Sequence, residues 1–122
     1  MSETTTKPIR AETGEELDAL VEEHDLVLAE FYTKGCAKCN AIEPVLGNVA
    51  RATDVVVVMI NPVTDLSLVE EYDVTSVPAL VLFEGGERVG HLTEGFQGTE
   101  ELLEFIEEHA DHGPTEMAAD AD

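Results

Sequence analysis

Apolar and polar positions along the chain form blocks that predict helices and strands in turn. Apolar residues recur at helical intervals over residues 14–24. Nearly continuous apolar runs over residues 26–32 and 55–60 are typical of strands that are covered on both faces. Between these runs, an apolar stripe at helical spacing predicts a second helix that extends to about Ala52.

The second half of the chain continues the same alternation. A short helix is predicted over residues 65–72. Two strands, over residues 80–83 and 88–92, flank a Glu-Gly-Gly-Glu segment that predicts a tight turn and therefore an antiparallel hairpin. Thr99 is expected to cap a last amphipathic helix.

The order of these elements predicts an α/β fold. Helices that alternate with strands, preceded by a short strand near Ile9, indicate a central β-sheet flanked by helices on both faces. The length of 122 residues suits one domain, which we expect over residues 9–110. Residues 1–8 are expected to form a flexible N-terminus, and residues 111–122 a flexible acidic C-terminal tail.

The charge balance excludes whole classes of partner. The chain has 27 acidic and 6 basic residues and a formal net charge of −21, so both nucleic acids and anionic membranes would be repelled. The acidic residues are interleaved with apolar ones, which favours a carboxylate-coated surface adapted to high salt. A modestly acidic protein from an ordinary habitat is the alternative interpretation.

The N-terminus shows no secretory signal, and the longest apolar run has only six residues. We therefore expect a cytoplasmic monomer. The two cysteines are three positions apart, so a disulfide between them would close a very small loop and stabilise the fold little. In a reducing compartment such a pair is more often catalytic, redox-sensing or metal-binding.

The position of Cys36 favours thiol chemistry. It lies where a buried strand gives way to a helix, and the unpaired N–H groups of a helix N-terminus stabilise a thiolate. Cys36 is then the nucleophile, and Cys39 is placed to resolve a mixed disulfide formed on it. Two of the six basic residues, Lys34 and Lys38, lie within two positions of Cys36 and would favour its thiolate further. The alternative is that these lysines only keep the loop soluble.

A metal site is a competing interpretation of the cysteine pair. Zinc would require further ligands, for which the chain offers His24, His91, His109 and His112. Only His109 and His112 are closely spaced, and they lie about seventy residues from the cysteines. We therefore expect no metal, and solvated histidines.

Several further positions resemble the thioredoxin family, over about residues 9–110. An acid lies six residues before Cys36, a proline eight residues after it, a Ser-Val-Pro-Ala-Leu segment begins at position 76, and a glycine follows the last strand. These positions are Glu30, Pro44, Ser76, Val77, Pro78, Glu94 and Gly95.

The resemblance implies a thioredoxin fold with a mixed sheet and a Cys-Ala-Lys-Cys active site that reduces disulfides in protein substrates. It implies no cofactor beyond the Cys36–Cys39 disulfide, and a thioredoxin-reductase-like electron donor. Pro78 would be cis and face the cysteines, the Val77 backbone would pair with an incoming peptide, and Gly35 and Gly95 would also contact substrate. The alternative for Pro78 is an ordinary trans proline at the start of a strand.

Glu30 interrupts an apolar strand, where an unpaired carboxylate is costly. By resemblance it would act as the base for Cys39 through water, and its burial is expected to raise its pKa. The alternative is a glutamate at the surface.

At three places the sequence differs from the family pattern, which affects which properties of the family can be expected here. Gly35 replaces a tryptophan, Ala37-Lys38 replaces glycine-proline, and Met59 stands where many members have a lysine. These changes leave the exchange chemistry intact but put the substrate range and the redox potential in question. A non-catalytic redox sensor or interaction module with the same fold is therefore the alternative function.

Overall fold

The computed structural model describes residues 7–93 and 97–110, and within them it has five strands and four α-helices. The strands are β1 (Ile9–Ala11), β2 (Leu26–Phe31), β3 (Val56–Ile60), β4 (Ala79–Glu84) and β5 (Glu87–Leu92). The helices are α1 (Gly14–Glu23), α2 (Ala37–Ala52), α3 (Ser67–Glu71) and α4 (Thr99–His109), with a 3₁₀ turn at Pro62–Thr64. None of the helices in the described residues combines the length and the apolar character needed to cross a membrane.

The strands form one mixed sheet in the order β1-β3-β2-β4-β5. The strand β3 runs parallel to both β1 and β2, whereas β4 is antiparallel to β2 and to β5. The carboxyl ends of β1, β2 and β3 therefore lie at one edge of the sheet. The loops that leave β2 and β3 begin at this edge.

Both faces of the sheet are covered by helices, as the continuous apolar runs predict. Alternate residues of β2 and β3 point to opposite faces, so each strand contributes to two separate apolar clusters. One cluster includes the buried residues of α2 and α4, and the other includes those of α1 and α3. The helix α2 continues through Pro44 without interruption.

The hairpin turn follows the prediction, but the start of α4 does not. Gly85 and Gly86 have φ angles of 61° and 86°, the left-handed region that glycine adopts at no steric cost. In contrast, Gly98 and not Thr99 is the N-cap of α4. The Thr99 hydroxyl accepts a hydrogen bond of 3.1 Å from Asn48 Nδ2, so it joins α4 to α2. The capping prediction for Thr99 was therefore wrong.

Candidate active site

The two cysteines lie at the sheet edge where β2 ends and α2 begins. Cys36 is the N-cap residue of α2, and its Sγ accepts a hydrogen bond of 3.1 Å from the backbone N–H of Cys39. The two side chains are joined as a disulfide, with Cα atoms 5.2 Å apart. The hydrogen bond takes one of the N–H groups that a helix N-terminus leaves without an intrahelical partner.

The two sulfur atoms differ in their access to solvent. Cys36 is partly exposed, whereas only 3% of Cys39 is exposed. A bulky disulfide substrate can therefore reach Cys36 more readily than Cys39.

The segment before β4 approaches the cysteines from the other side. The Val77–Pro78 peptide bond is cis, which confirms the prediction for Pro78 and contradicts the trans alternative. The carbonyl oxygen of Val77 lies 3.9 Å from Cys36 Sγ, although the two residues are 41 positions apart in the chain. The fold thus places the backbone of Val77 beside the more exposed sulfur.

Glu30 lies inside the protein and not at the surface. It is completely buried in β2, in register with Met59 of β3 and Leu80 of β4. Neither carboxyl oxygen has a hydrogen-bond partner among the described residues. The alternative of a surface glutamate is therefore wrong.

The surroundings of Glu30 favour its protonated form. Burial is the main cause and raises its pKa from 4.5 to about 8. This value includes a smaller contribution from the negative charge of Glu43, which also raises the pKa, and an opposing one from the positive charge of Arg10, which lowers it. A carboxyl group with this pKa can exchange a proton near neutral pH.

A cleft of about 220 Å³ leads from solvent to Cys39. Met59, the register partner of Glu30, forms part of its wall. The other lining residues are Arg10, Tyr32, Thr33, Lys34, Gly35, Asn40 and Glu43. Sequence reasoning missed Arg10, Tyr32 and Glu43, although Glu43 lies four residues after Cys39 and so on the same face of α2.

The loop before the cysteines carries two predicted site residues. Gly35 has a φ of 76°, and a side chain there would be strained by the backbone angle although open space surrounds it. Lys34 is exposed beside the cleft, and Lys38 is exposed in the first turn of α2. Both lysines are therefore surrounded by solvent close to Cys36.

Some predicted residues are not brought together, or cannot be described. Gly95 and the preceding Glu94 lie outside the described residues, as does His112. Within residues 7–93 and 97–110, no three histidine, cysteine or acidic side chains are grouped as metal ligands. His109 instead has its Nδ1 atom 2.8 Å from the carbonyl oxygen of Phe105.

Comparison with known proteins gives consistent results. The thioredoxin family model matches residues 8–108. Thioredoxin from Chlamydia pneumoniae is 34% identical over 86 residues, which are 70% of this chain and 83% of that protein. The structure of a mutant thioredoxin from Halobacterium salinarum NRC-1 is similar with a TM-score of 0.84 and 33% identity, over 91% of this chain and 97% of that one.

A more distant structure supports the fold alone. Thioredoxin from Schistosoma mansoni is 22% identical and superimposes with a TM-score of 0.75, over 84% of this chain and 95% of that one.

The buried carboxyl group generates a prediction for stability against pH. The folded protein keeps the Glu30 proton up to about pH 8, whereas the unfolded chain loses it near 4.5. Between these values unfolding releases a proton, so a rise in pH favours the unfolded chain. The contribution of Glu30 to the free energy of unfolding is therefore fully present below pH 4.5 and falls as the pH rises to about 8. Glu30→Gln removes this slope, which amounts to at most about 1.4 kcal/mol per pH unit.

The measurement is the difference in the free energy of unfolding between the Glu30→Gln variant and the parent protein across pH 5 to about 8. The variant should become steadily more stable relative to the parent protein as the pH rises. Glu22→Gln, which alters an exposed glutamate, is the matched control and should show a flat difference. A flat difference for Glu30→Gln as well would contradict the raised pKa.

Proposed function

Because the chain belongs to the thioredoxin family, it is a thiol–disulfide oxidoreductase, and we propose that Cys36 attacks the substrate disulfide while Cys39 completes the exchange. The chain then works on protein substrates, without a bound cofactor and with its own dithiol as the source of two electrons. The observation that carries the proposal is the hydrogen bond from the Cys39 N–H to Cys36 Sγ at the N-terminus of α2.

In the first step, the Cys36 thiolate attacks one sulfur of the substrate disulfide. A bond forms between Cys36 and that sulfur, the substrate S–S bond breaks, and the other substrate sulfur leaves as a thiolate that takes up a proton. The N-terminus of α2 favours the thiolate through its unpaired N–H groups and its dipole. The partial exposure of Cys36 supports its role as the attacking group.

In the second step, which requires the ionised form of Glu30 that is present in a minority of molecules at neutral pH, the Cys39 thiol passes its proton toward the Glu30 carboxylate and attacks Cys36 Sγ. The mixed disulfide breaks, the second substrate sulfur leaves as a thiolate, and Cys36 and Cys39 become the disulfide. Burial of Cys39 requires a nearby proton acceptor, because its thiol has little contact with bulk water. A water molecule in the cleft would carry the proton, since Glu30 is not itself among the lining residues.

The substrate would lie against the cis-Pro78 segment. The Val77 backbone, whose carbonyl oxygen is 3.9 Å from Cys36 Sγ, would pair with the backbone of a bound peptide, and Gly35 and Gly95 are proposed as further contacts. Electrons would return from a thioredoxin-reductase-like donor, and the protein would act as a cytoplasmic monomer. Neither a nucleic acid nor a membrane is a partner in this proposal, because the net charge of −21 repels both.

Adaptation to high salt forms part of the same proposal. The charge of −21 and the similarity to a thioredoxin from Halobacterium salinarum support it. At 1 M salt the Debye length is only about 3 Å, which screens repulsion between exposed carboxylates.

The assignment of the two cysteines is tested by trapping. Cys39→Ser should accumulate mixed disulfides with a disulfide-containing test protein, because no thiol remains to release Cys36. Cys36→Ser should trap little, since the remaining thiol is only 3% exposed. Non-reducing electrophoresis after acid quenching measures the mixed disulfides in both variants. Equal trapping by the two variants would contradict the assignment of Cys36 as the attacking cysteine.

The role of Glu30 is tested by single-turnover kinetics at neutral pH. Glu30→Gln should slow release of the mixed disulfide by up to about 10²-fold, the size of a typical general-base contribution, while the initial attack by Cys36 changes little. Glu22→Gln is the control for loss of one acidic charge. Unchanged release in Glu30→Gln would show that another group accepts the proton.

Salt should stabilise the fold most strongly at the low end of the range. The thermal unfolding midpoint should rise steeply between about 0.1 and 1 M potassium chloride, because the Debye length falls there from about 10 to about 3 Å. Sodium chloride should act alike, whereas sulfate also stabilises proteins by exclusion from their surfaces and is a poor probe. A midpoint that does not change up to 2 M potassium chloride, well beyond the roughly 1 M at which screening is nearly complete, would contradict salt adaptation.

A further inference from the structure

An ion pair covers the outer side of the cleft that leads to Cys39. Arg10, on the edge strand β1, places its Nη2 atom 2.7 Å from Glu43 Oε2 on α2. Its Nη1 atom donates a hydrogen bond of 3.1 Å to the hydroxyl group of Tyr32, and the guanidinium carbon lies 5.5 Å from the centre of that ring. All three side chains line the cleft. Tyr32 is therefore a third residue that contacts Arg10 beside Glu43.

The sheet register connects this pair to the buried carboxyl group. Arg10 is in register with Met59, and Met59 is in register with Glu30, so the three residues form a row across β1, β3 and β2. Register partners point to the same face of a sheet, and two strand spacings separate the ends of this row by about 10 Å. Arg10 and Glu30 therefore face α2 together, with one neutral side chain between them.

On the helix side, Glu43 follows Cys39 by one turn. Residues four apart on a helix are neighbours on its surface, so Glu43 lies above Cys39 on the face that lines the cleft. The ion pair thus spans from the sheet to the helix directly outside the buried thiol.

We propose that the Arg10–Glu43 ion pair is a positioning element of the redox site, which controls from the surface how readily the buried carboxyl group of Glu30 exchanges its proton with Cys39. Neither residue contacts a reacting atom. The inference rests on the proposed role of Glu30 as the base, and it adds the charges that adjust this base.

The two members of the pair act on Glu30 in opposite directions. The Glu43 carboxylate raises the pKa of Glu30 and the Arg10 guanidinium lowers it. Lys34, in the loop before α2, is a further charged residue that lines the cleft. The register partners of Glu30 in β3 and β4, Met59 and Leu80, are neutral. Loss of Glu43 should therefore lower the pKa of Glu30, and loss of Arg10 should raise it.

The direct measurement is a carbon-13 titration of the glutamate carboxyl groups in the oxidised protein. The cysteines do not titrate in this state because they form the disulfide. The Glu30 signal is identified as the one absent from Glu30→Gln. Its midpoint should fall by about 0.5 to 1 pH unit in Glu43→Gln and rise by a similar amount in Arg10→Gln, because charges at this range shift a pKa by that order. The double variant should lie between the two single ones.

Two controls separate charge from structure. Arg10→Lys keeps the positive charge and should restore a midpoint close to that of the parent protein. Arg88→Gln removes an exposed cation that stacks on Tyr72 at another part of the molecule, and should leave the midpoint unchanged. The shifts of the Glu30 midpoint in Glu43→Gln and Arg10→Gln should also become smaller in 1 M potassium chloride. The side chains of Arg10 and Glu43 are 53% and 45% exposed, so salt screens their charges.

The same variants are then compared in the pH profile of mixed-disulfide release. The inflection of this profile should follow the carbon-13 midpoint in each variant. Midpoints that stay fixed in both single variants would overturn the inference, even if Glu30→Gln still slows release and so supports the proposed base. Midpoints that move while the release profile does not would refute Glu30 as the base, and with it the control proposed for the ion pair.

Discussion

The site depends on the place where α2 begins. Strand β2 ends at the edge of the sheet where the carboxyl ends of the parallel strands lie. The helix α2 starts only six residues later, with Cys36 as its N-cap. A residue at this position receives hydrogen bonds from N–H groups that have no other partner in the helix. Such groups stabilise a thiolate, so in the proposed mechanism the geometry that begins the helix also activates Cys36 as the nucleophile. Movement of the helix start by one residue would remove this stabilisation.

The second step of the proposed mechanism depends on burial, because burial makes a charge costly. Glu30 and Cys39 are both closed off from bulk water, and each would be a poor acid or base there alone. In the proposed mechanism a proton passes from the Cys39 thiol toward the Glu30 carboxylate, so the two groups together carry one negative charge before and after the transfer. The raised pKa of Glu30 and the inaccessibility of Cys39 therefore have the same cause. Cys36 needs no such partner in the proposed mechanism, because it is partly exposed and lies at the N-terminus of α2.

The sequence predicted the elements well, because apolar periodicity decides which faces of β2, β3 and α2 are buried. It also predicted the cysteine site and the cis-Pro78, through motifs that are local in the chain. Thr99 was wrong because a side-chain hydroxyl can serve a neighbouring helix as well as its own, and only the packing of α4 on α2 decides which. Arg10 and Glu43 could not be recognised because their contact joins positions 33 residues apart on an edge strand and a helix. Nothing in the local sequence marks such a pair.

The net charge of −21 gives these local contacts a particular importance. In dilute solution many distant carboxylates add to the negative potential at Glu30, and all of them favour its protonated form. In concentrated salt the Debye length shortens to a few ångströms, so distant charges contribute little and only adjacent groups remain effective. Arg10 lies about two strand spacings, or about 10 Å, from Glu30, and both members of its ion pair with Glu43 are about half exposed, so their opposite effects on the pKa of Glu30 also weaken in salt. The largest cause of the raised pKa is burial, which salt does not screen, so in concentrated salt the proton affinity of Glu30 is set mainly by its position inside the sheet.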